Sequence, residues 1–372
     1  MDGLMDDWRV VGRVLDHIDN GATDRGAATW REPVDHYVSP GRLERELREV
    51  FHATPTPFCP SLALAEPGAF LAREAAGTPL IAVRGADGVA RVFRNACRHR
   101  GTQLACGAGK ARALVCPYHA WTYDLEGRLR SVPHLDGFPD LDTSRHGLVP
   151  VRCEERAGLI FVTQTPAGAD TPPAQWPTGL DPDLTLVAAG EQVIEANWKI
   201  VMEGFLEGYH IKATHKDTFF PRQYDNLNVV EHFGANSRVV FPYQAVERQR
   251  AVAPPARDGS GGLTYVYHLF PNVIVATFPK RATLVINEPD GAARTRQLTW
   301  TFADRATLAA DRPGVSQGID FVNEGAKEDR AVNESIQRGL ASGANDAFTY
   351  GLFEGAIVHF HRGLSERLGS AV

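Results

Sequence analysis

The sequence predicts an α+β protein in which a small antiparallel β module is inserted near the front of a larger domain of mixed helix and strand. Three observations point there. Ahead of the module, residues 5–20 and 41–52 carry helical spacing with charge-rich faces. From about residue 60 short apolar runs, PLIAVRG, VARVFRN, RALVCP and LIFVTQ, are parted by Gly-, Asp- and Pro-rich turns, the pattern of antiparallel strands. Behind the module, strand-like and helix-like stretches are mixed. At 372 residues the chain exceeds a usual single domain, so two domains are expected.

Within the β module, ADGV (86–89) and LEGR (125–128) read as hairpin turns. A Pro-rich stretch, TPAGADTPPAQWPTGLDPD (165–183), reads as a linker or surface loop. After it NWKIVMEGFLEGYH reads as helix, YVYHLFPNVIVATF and RQLTWTFAD as strands, and VSQGIDFVNEGAKEDRAVNESIQRGL as a long helix. The expected division is 1–50 for the helical front of the larger domain, 51–165 for the β module and 166–372 for the rest of the larger domain.

Lys and Arg number 39 against 45 Asp and Glu, a net charge of −6, which gives no reason to expect nucleic acid or an acidic membrane as partner. No run of about 18 apolar residues marks a membrane span. The start, MDGLMDDWRVV, lacks the basic-then-apolar pattern of a secretory signal. Five cysteines are too few and too scattered for a disulfide framework. A reducing cytoplasm is the expected location.

Four of the chemistry-bearing residues stand together in NACRHRGTQLACGAGKARALVCPYHAW, as Cys97-x-His99 and Cys116-x-x-His119. A thiolate and an imidazole two or three residues apart can share one side of a turn and approach a common centre. Zinc takes such a set tetrahedrally, though its finger motifs usually pair Cys with Cys and His with His. One of each on both arms suits a [2Fe–2S] cluster with one iron held by two Cys and the other by two His. Cys59, Cys106 and Cys153 have no such spacing and read as buried small residues.

The motif CRHRG…CPYHAW resembles the oxygenase branch of the Rieske iron–sulfur family. Thr102 and Tyr118 stand about where the respiratory branch carries two further, disulfide-forming cysteines. The resemblance implies that Cys97 and Cys116 ligate one iron of a Rieske [2Fe–2S] cluster, and His99 and His119 the other.

An electron carrier of this kind needs only the small module, yet more than half of the chain lies beyond it. There Glu207, His210 and His215 stand out in EGFLEGYHIKATH. Glu207 and His210 are three apart and would share a helix face, Glu207 bonding the free imidazole N–H. His210 and His215 are five apart, about 140° around a regular helix, so a shared metal requires a π-type bulge or an early stop near 212–214. Two His and one carboxylate with open positions form the facial triad of non-haem Fe(II) oxygenases. EDRAVNESIQRGL offers Glu328, Asp329 and Glu334 as the carboxylate, and helical spacing alone does not choose among them.

NWK…EGFLEGYHIKATH, HLFPN (268–272) and EDRAVNESIQRGL extend the resemblance across most of the chain, to the Rieske non-haem iron oxygenases. Glu207, where ring-hydroxylating dioxygenases usually carry Asp, makes it look closer to the choline, carnitine and betaine oxygenases. The resemblance implies a Rieske domain inserted near the front of a helix-grip-like α+β catalytic domain, with Asp329 the third ligand of a mononuclear Fe(II). It implies that Glu207 bridges His210 of one subunit to His119 of the next, in a closed head-to-tail homotrimer.

The function expected is that of the terminal oxygenase of a Rieske system, using O2 to hydroxylate or oxidatively demethylate a small organic molecule. No GxGxxG fingerprint follows a strand, so NAD(P)H is expected to be oxidised on a separate reductase, by resemblance a flavoprotein, with or without a ferredoxin. The alternatives are a Rieske electron carrier or redox sensor, and a zinc-stabilised binding module. Met202, Phe205 and aromatics of YVYHLF and AFTYGLFEG are candidates for the pocket lining.

Overall fold

The computed structural model describes residues 3–165, 180 and 183–369, so the Pro-rich stretch 165–183 lies largely outside the described residues. The chain divides into two compact units, Met1–Glu46 with Pro177–Val372, and Leu47–Trp176. The divisions fall after Glu46 and Trp176, where the sequence placed them after residues 50 and 165.

The smaller unit is built on a seven-stranded sheet in the order Thr56–Pro60, Leu159–Thr163, Pro150–Arg156, Ala90–Arg94, Thr78–Arg84, Ala69–Ala75, Gly107–Lys110, all neighbours antiparallel. The ADGV hairpin is present: Gly88 adopts φ +78° and the Gly85 N–H donates to the Val89 carbonyl at 2.9 Å. Because successive strand residues face opposite sides, Ile81 and Val83 join Phe93 on one face, and there they pack against the segment that carries Cys97 and Cys116. A small three-stranded sheet, Leu114–Val115, Thr122–Tyr123 and Leu129–Ser131, supports the second of those cysteines.

The larger unit holds a seven-stranded antiparallel sheet in the order Leu184–Ile194, Thr295–Asp304, Arg281–Pro289, Val273–Phe278, Leu263–Leu269, Asn236–Pro242, Val229–Phe233. The long helix runs unbroken over 29 residues, Arg312–Leu340, and the Asp311 carboxylate caps it by accepting from the Gly314 N–H at 2.9 Å. Val322, Ala326 and Asp329 on this helix and Val266, Ala276 and Phe278 on the sheet line one cavity, so sheet and helix enclose it between them. The expected α+β architecture, an antiparallel β module within a helix-and-sheet domain, is the observed one.

One expected helix is not a helix throughout. NWKIVMEGFLEGYH is helical only over Trp198–Glu203, and a single turn, Ile211–Thr214, follows after a break. Glu207 and His210 therefore do not share a helix face. Gly204 and Gly208 lower the helix propensity, and the Glu207 carboxylate accepts the backbone N–H groups of Tyr209 and His210, which offers the chain an alternative to the helical ladder.

Asn197, Trp198 and Lys199 anchor the start of this segment. The Asn197 side chain accepts from the Lys199 N–H at 2.9 Å and donates to the Tyr37 and Ala292 carbonyls. Lys199 and Glu46, 1% and 0% exposed, meet at 2.9 Å, and Trp198 Nε1 and Arg42 Nε donate to the same carboxylate. Burial opposes the charge on Glu46, but Lys199 and the bonds from Arg42 and Trp198 outweigh it and hold its carboxyl below the usual range. Lys199→Met leaves that buried carboxylate short of a cation. It is expected to cost about 3–5 kcal/mol, read as the shift of the chemical-denaturation midpoint of the full chain.

Candidate functional site

The four residues of the smaller unit sit on two loops closed in the same way. The Cys97 N–H donates to the Thr102 carbonyl at 2.8 Å and the Gly101 N–H to the Cys97 carbonyl at 2.9 Å; the Cys116 N–H donates to Trp121 at 2.8 Å and the Ala120 N–H to Cys116 at 3.0 Å. The fifth residue of each loop is left-handed, Gly101 at φ +79° and Ala120 at φ +57°. Cys97 and Cys116 are buried, His99 is half-buried and His119 exposed. The two imidazoles lie 4.8 Å apart between ring centroids, with Trp121 stacked on His99 and Tyr118 on His119. Cysteines inside and imidazoles outside fit a [2Fe–2S] cluster whose sulfur ligands are kept from water.

Tyr123 was not singled out from the sequence. Its hydroxyl lies 3.3 Å from Cys97 Sγ and accepts from the Arg98 N–H at 3.0 Å, which leaves the hydroxyl proton for the sulfur. Burial and the neighbouring Cys97 raise Tyr123 well above the usual phenol range, so that proton stays. Of the remaining cysteines Cys59 is buried, its thiol pushed up to about 12 by burial, whereas Cys106 is exposed, contrary to expectation.

In the larger unit His210 and His215 flank the single-turn helix Ile211–Thr214, one at each end. The early stop, rather than a π-type bulge, brings both rings to one side. Asp329 Oδ1 stands 3.6 Å from His210 Nε2 and 3.0 Å from His215 Nε2. Single ligand atoms from His210, His215 and Asp329 lie within 4.8 Å of one another, the one such grouping among the described residues. The opposite nitrogens are held too: Glu207 meets His210 Nδ1, and Glu328 Oε2 meets His215 Nδ1 at 2.8 Å while accepting from Thr218 Oγ1 at 2.6 Å. Glu334 faces away and pairs with Arg330 at 2.8 Å. Burial opposes protonation of the two imidazoles, but the carboxylates around them prevail and raise both, Glu207 leading at His210 and Asp329 at His215. Two imidazoles and a carboxylate with nitrogens already oriented fit a divalent iron with open positions.

His210 and Asp329 face two cavities. One, of 120 Å³, is walled by aromatic and aliphatic side chains including Phe205, Phe219, Phe241, Tyr243 and Phe278. Phe219 packs edge-on to His215 at 4.7 Å, and Gly325 on the long helix leaves room for its ring. The other, of 740 Å³, is acidic, with Glu203, Glu207 and Glu354. Burial, then Glu207 and Glu203, push the Glu354 carboxyl up to about 7 against the opposing bond from the Gly351 N–H. Of the expected lining residues Phe205 reaches the aromatic cavity and Phe348 and Tyr350 the acidic one. Met202 is instead core, its sulfur accepting from Asn287 Nδ2 at 3.1 Å.

Two domain families match: the ring hydroxylating alpha subunit (catalytic domain) over residues 180–370, and the Rieske [2Fe-2S] domain over residues 54–145. The chain belongs to the ring hydroxylating alpha subunit family and is the terminal oxygenase of a Rieske non-haem iron system, with a Rieske [2Fe–2S] cluster and a mononuclear iron. A bare electron carrier and a zinc module are thereby set aside.

The chain is similar to the carnitine monooxygenase oxygenase subunit of Escherichia coli (strain K12), 27% identical with 91% of this chain and 93% of that protein covered. It is also similar to chloroplastic choline monooxygenase of Beta vulgaris, 26% identical with 90% and 76% covered. The quaternary ammonium Rieske monooxygenase CntA, solved with its substrate L-carnitine, superposes with a TM-score of 0.78 at 25% identity, covering 91% of this chain and 95% of that one. Naphthalene 1,2-dioxygenase from Rhodococcus sp. shares the fold, with a TM-score of 0.69 at 18% identity over 97% and 98%. Among the described residues no helix is long and apolar enough to cross a membrane.

Tyr123→Phe removes one hydrogen bond to sulfur, which is expected to lower the cluster potential by on the order of 50 mV, since such a bond contributes about 1 kcal/mol and about 59 mV is tenfold for one electron. Redox titration of the purified protein measures it. At the second centre, Asp329→Ala is expected to abolish iron retention while the Rieske spectrum survives. Glu328→Ala is expected to weaken metal affinity about 10–100-fold by freeing the His215 ring. Iron content per chain and a competitive-chelator titration separate the two.

Proposed function

We propose that this oxygenase acts on a small quaternary ammonium compound, hydroxylating a carbon next to nitrogen. The observation that carries the reading is the aromatic cavity directly beside His210, His215 and Asp329. A trimethylammonium group carries its charge on a greasy surface, and aromatic faces attract such cations without the strong hydrogen bonds that it cannot make. The similarity to carnitine and choline monooxygenases supports the same class. The overall reaction takes the substrate, O2, two electrons and two protons to the hydroxylated product and water. An alcohol on a carbon bearing a quaternary nitrogen breaks its C–N bond, the pair of electrons leaving with nitrogen and the hydroxyl proton released, giving an aldehyde, a tertiary amine and a proton.

In this reading Cys97, His99, Cys116 and His119 hold the Rieske cluster, and His210, His215 and Asp329 hold the mononuclear iron. The cluster supplies electrons singly and the iron supplies O2 activation. Glu207 and Glu328 orient the two imidazoles through Nδ1, leaving each Nε2 for metal. The cavity walls exclude water from the reacting carbon. Glu354, half-protonated near neutral pH beside Glu207, can hold a proton on the acidic side of the site.

Electrons come from a separate NAD(P)H-dependent reductase, with or without a ferredoxin. Glu207, which holds His210, carries them from His119 of a neighbouring subunit in a homotrimeric ring, as the inter-subunit transfer described for CntA suggests. The domain limits 51–165 and 166–372 assign one centre to each part, and a reducing cytoplasm is the proposed location.

Coupled to a surrogate reductase, the protein is expected to release trimethylamine or formaldehyde from a trimethylammonium substrate with matching O2 uptake; no product from carnitine, choline or glycine betaine with both centres loaded sinks the substrate class. Cys97→Ser and His210→Ala are each expected to be inactive alone and to regain activity when co-assembled. Verified mixed rings without turnover would rule out the inter-subunit route.

A further inference from the structure

A third cavity, of 790 Å³, adjoins the aromatic one: Tyr243 and Phe278 line both. Its character is different. Two arginines, Arg222 and Arg281, line it, and among the described residues no Asp or Glu does. Among the described residues neither guanidinium has a carboxylate partner. Both lie instead over aromatic rings, Arg281 over Phe278 at 5.3 Å and Arg222 over Phe321 at 4.8 Å. Arg281 is half-buried, and burial holds it below the usual guanidinium range. Gly314, Gln317 and Gly318, in the first turns of the long helix that Asp311 caps, complete that wall.

A partly desolvated cation without a counter-charge, as Arg281 is, is costly, while the exposed Arg222 adds charge to the same cavity. An anion repays that cost. A planar guanidinium backed by a ring presents its N–H edge in the geometry that a carboxylate fills with two parallel bonds.

We propose that this cavity is the outer half of the substrate site and that Arg281, assisted by Arg222, binds a carboxylate on the substrate. The substrate is then a zwitterion, a trimethylammonium carboxylate, held with its cationic end among Phe205, Phe219, Phe241, Tyr243 and Phe278 beside the iron ligands and its anionic end at the arginines. A quaternary ammonium alcohol meets only the aromatic half. This deepens the quaternary-ammonium reading above and rests on it for the cationic end alone.

Four ligands separate the two ends: glycine betaine, choline, and their carbon isosteres without the cationic nitrogen, the anion 3,3-dimethylbutanoate and the neutral 3,3-dimethylbutanol. Their Kd values are measured by calorimetry on the anaerobic holoenzyme and on Arg281→Met, Arg281→Lys and Arg222→Met, each checked for both metal centres. The wild type is expected to bind glycine betaine more tightly than choline. Arg281→Met is expected to weaken glycine betaine about tenfold or more and leave choline unchanged, as loss of a charged hydrogen bond predicts. Arg281→Lys should recover part of the loss, and stands in with Arg222→Met if the methionine variant does not load its metals. Equal binding of the betaine and choline in wild type and variants overturns the arginine subsite while leaving the quaternary-ammonium reading intact. If neither quaternary compound binds, that reading fails, and the isosteres decide the subsite: an arginine-dependent preference for the acid sustains it, and no preference overturns it.

Discussion

The larger unit is organised around one demand: two imidazoles must present Nε2 to a single carboxylate oxygen while each is held from behind. His210 and His215 come from one short segment, and Asp329 from a helix more than a hundred residues later. The single helical turn Ile211–Thr214 sets the separation of the rings. The long helix then brings adjacent acids to bear on opposite nitrogens of His215, Asp329 at Nε2 and Glu328 at Nδ1. Neighbouring helical side chains diverge by about 100°, so the two cannot take the same role. Helix placement is thus part of the chemistry.

That placement is secured well away from the site. Asn197 ties the start of the His-bearing segment to Tyr37 and Ala292 by donating to both backbone carbonyls. The buried Lys199–Glu46 pair adds a charged anchor whose donors, Trp198 and Arg42, leave the carboxylate fully engaged. Such a pair contributes less through its own attraction than through the penalty for any arrangement that separates it. The sequence NWK is therefore a structural device that fixes where the following turn begins.

The smaller unit meets its own demand by a different division of labour. Two loops of matching hydrogen-bond pattern hold their cysteines in the core and turn their histidines outward. Sulfur is shielded and further tuned by the Tyr123 hydroxyl, while the imidazole side faces solvent. A centre that must exchange electrons with other proteins gains from one exposed edge. The catalytic site, by contrast, needs a dry aromatic chamber on one side of His210 and Asp329 and an acidic, protonatable chamber on the other.

Much of this was legible in the chain. The paired Cys and His, spaced two and three residues apart between strand-like runs, define their own centre locally because a single turn brings each pair together. Glu207, His210 and His215 were visible for the same reason, and so was the need for the helix to widen or stop between the histidines, though not which of the two. What the sequence could not supply was anything that depends on distant segments meeting. Spacing along one helix does not rank Glu328, Asp329 and Glu334, because only the position of the two imidazoles decides which acid points at them. Tyr123 lies 26 residues from the sulfur it approaches, and Phe219, Phe241 and Arg281 reach their cavities from separate strands and turns. Met202 could be read as pocket or core and is core, since the helix Trp198–Glu203 turns that face toward Asn287. Local chemistry is written in short-range order; which side chains share a cavity is set by how the sheet closes on the long helix, and that is a property of the packed whole.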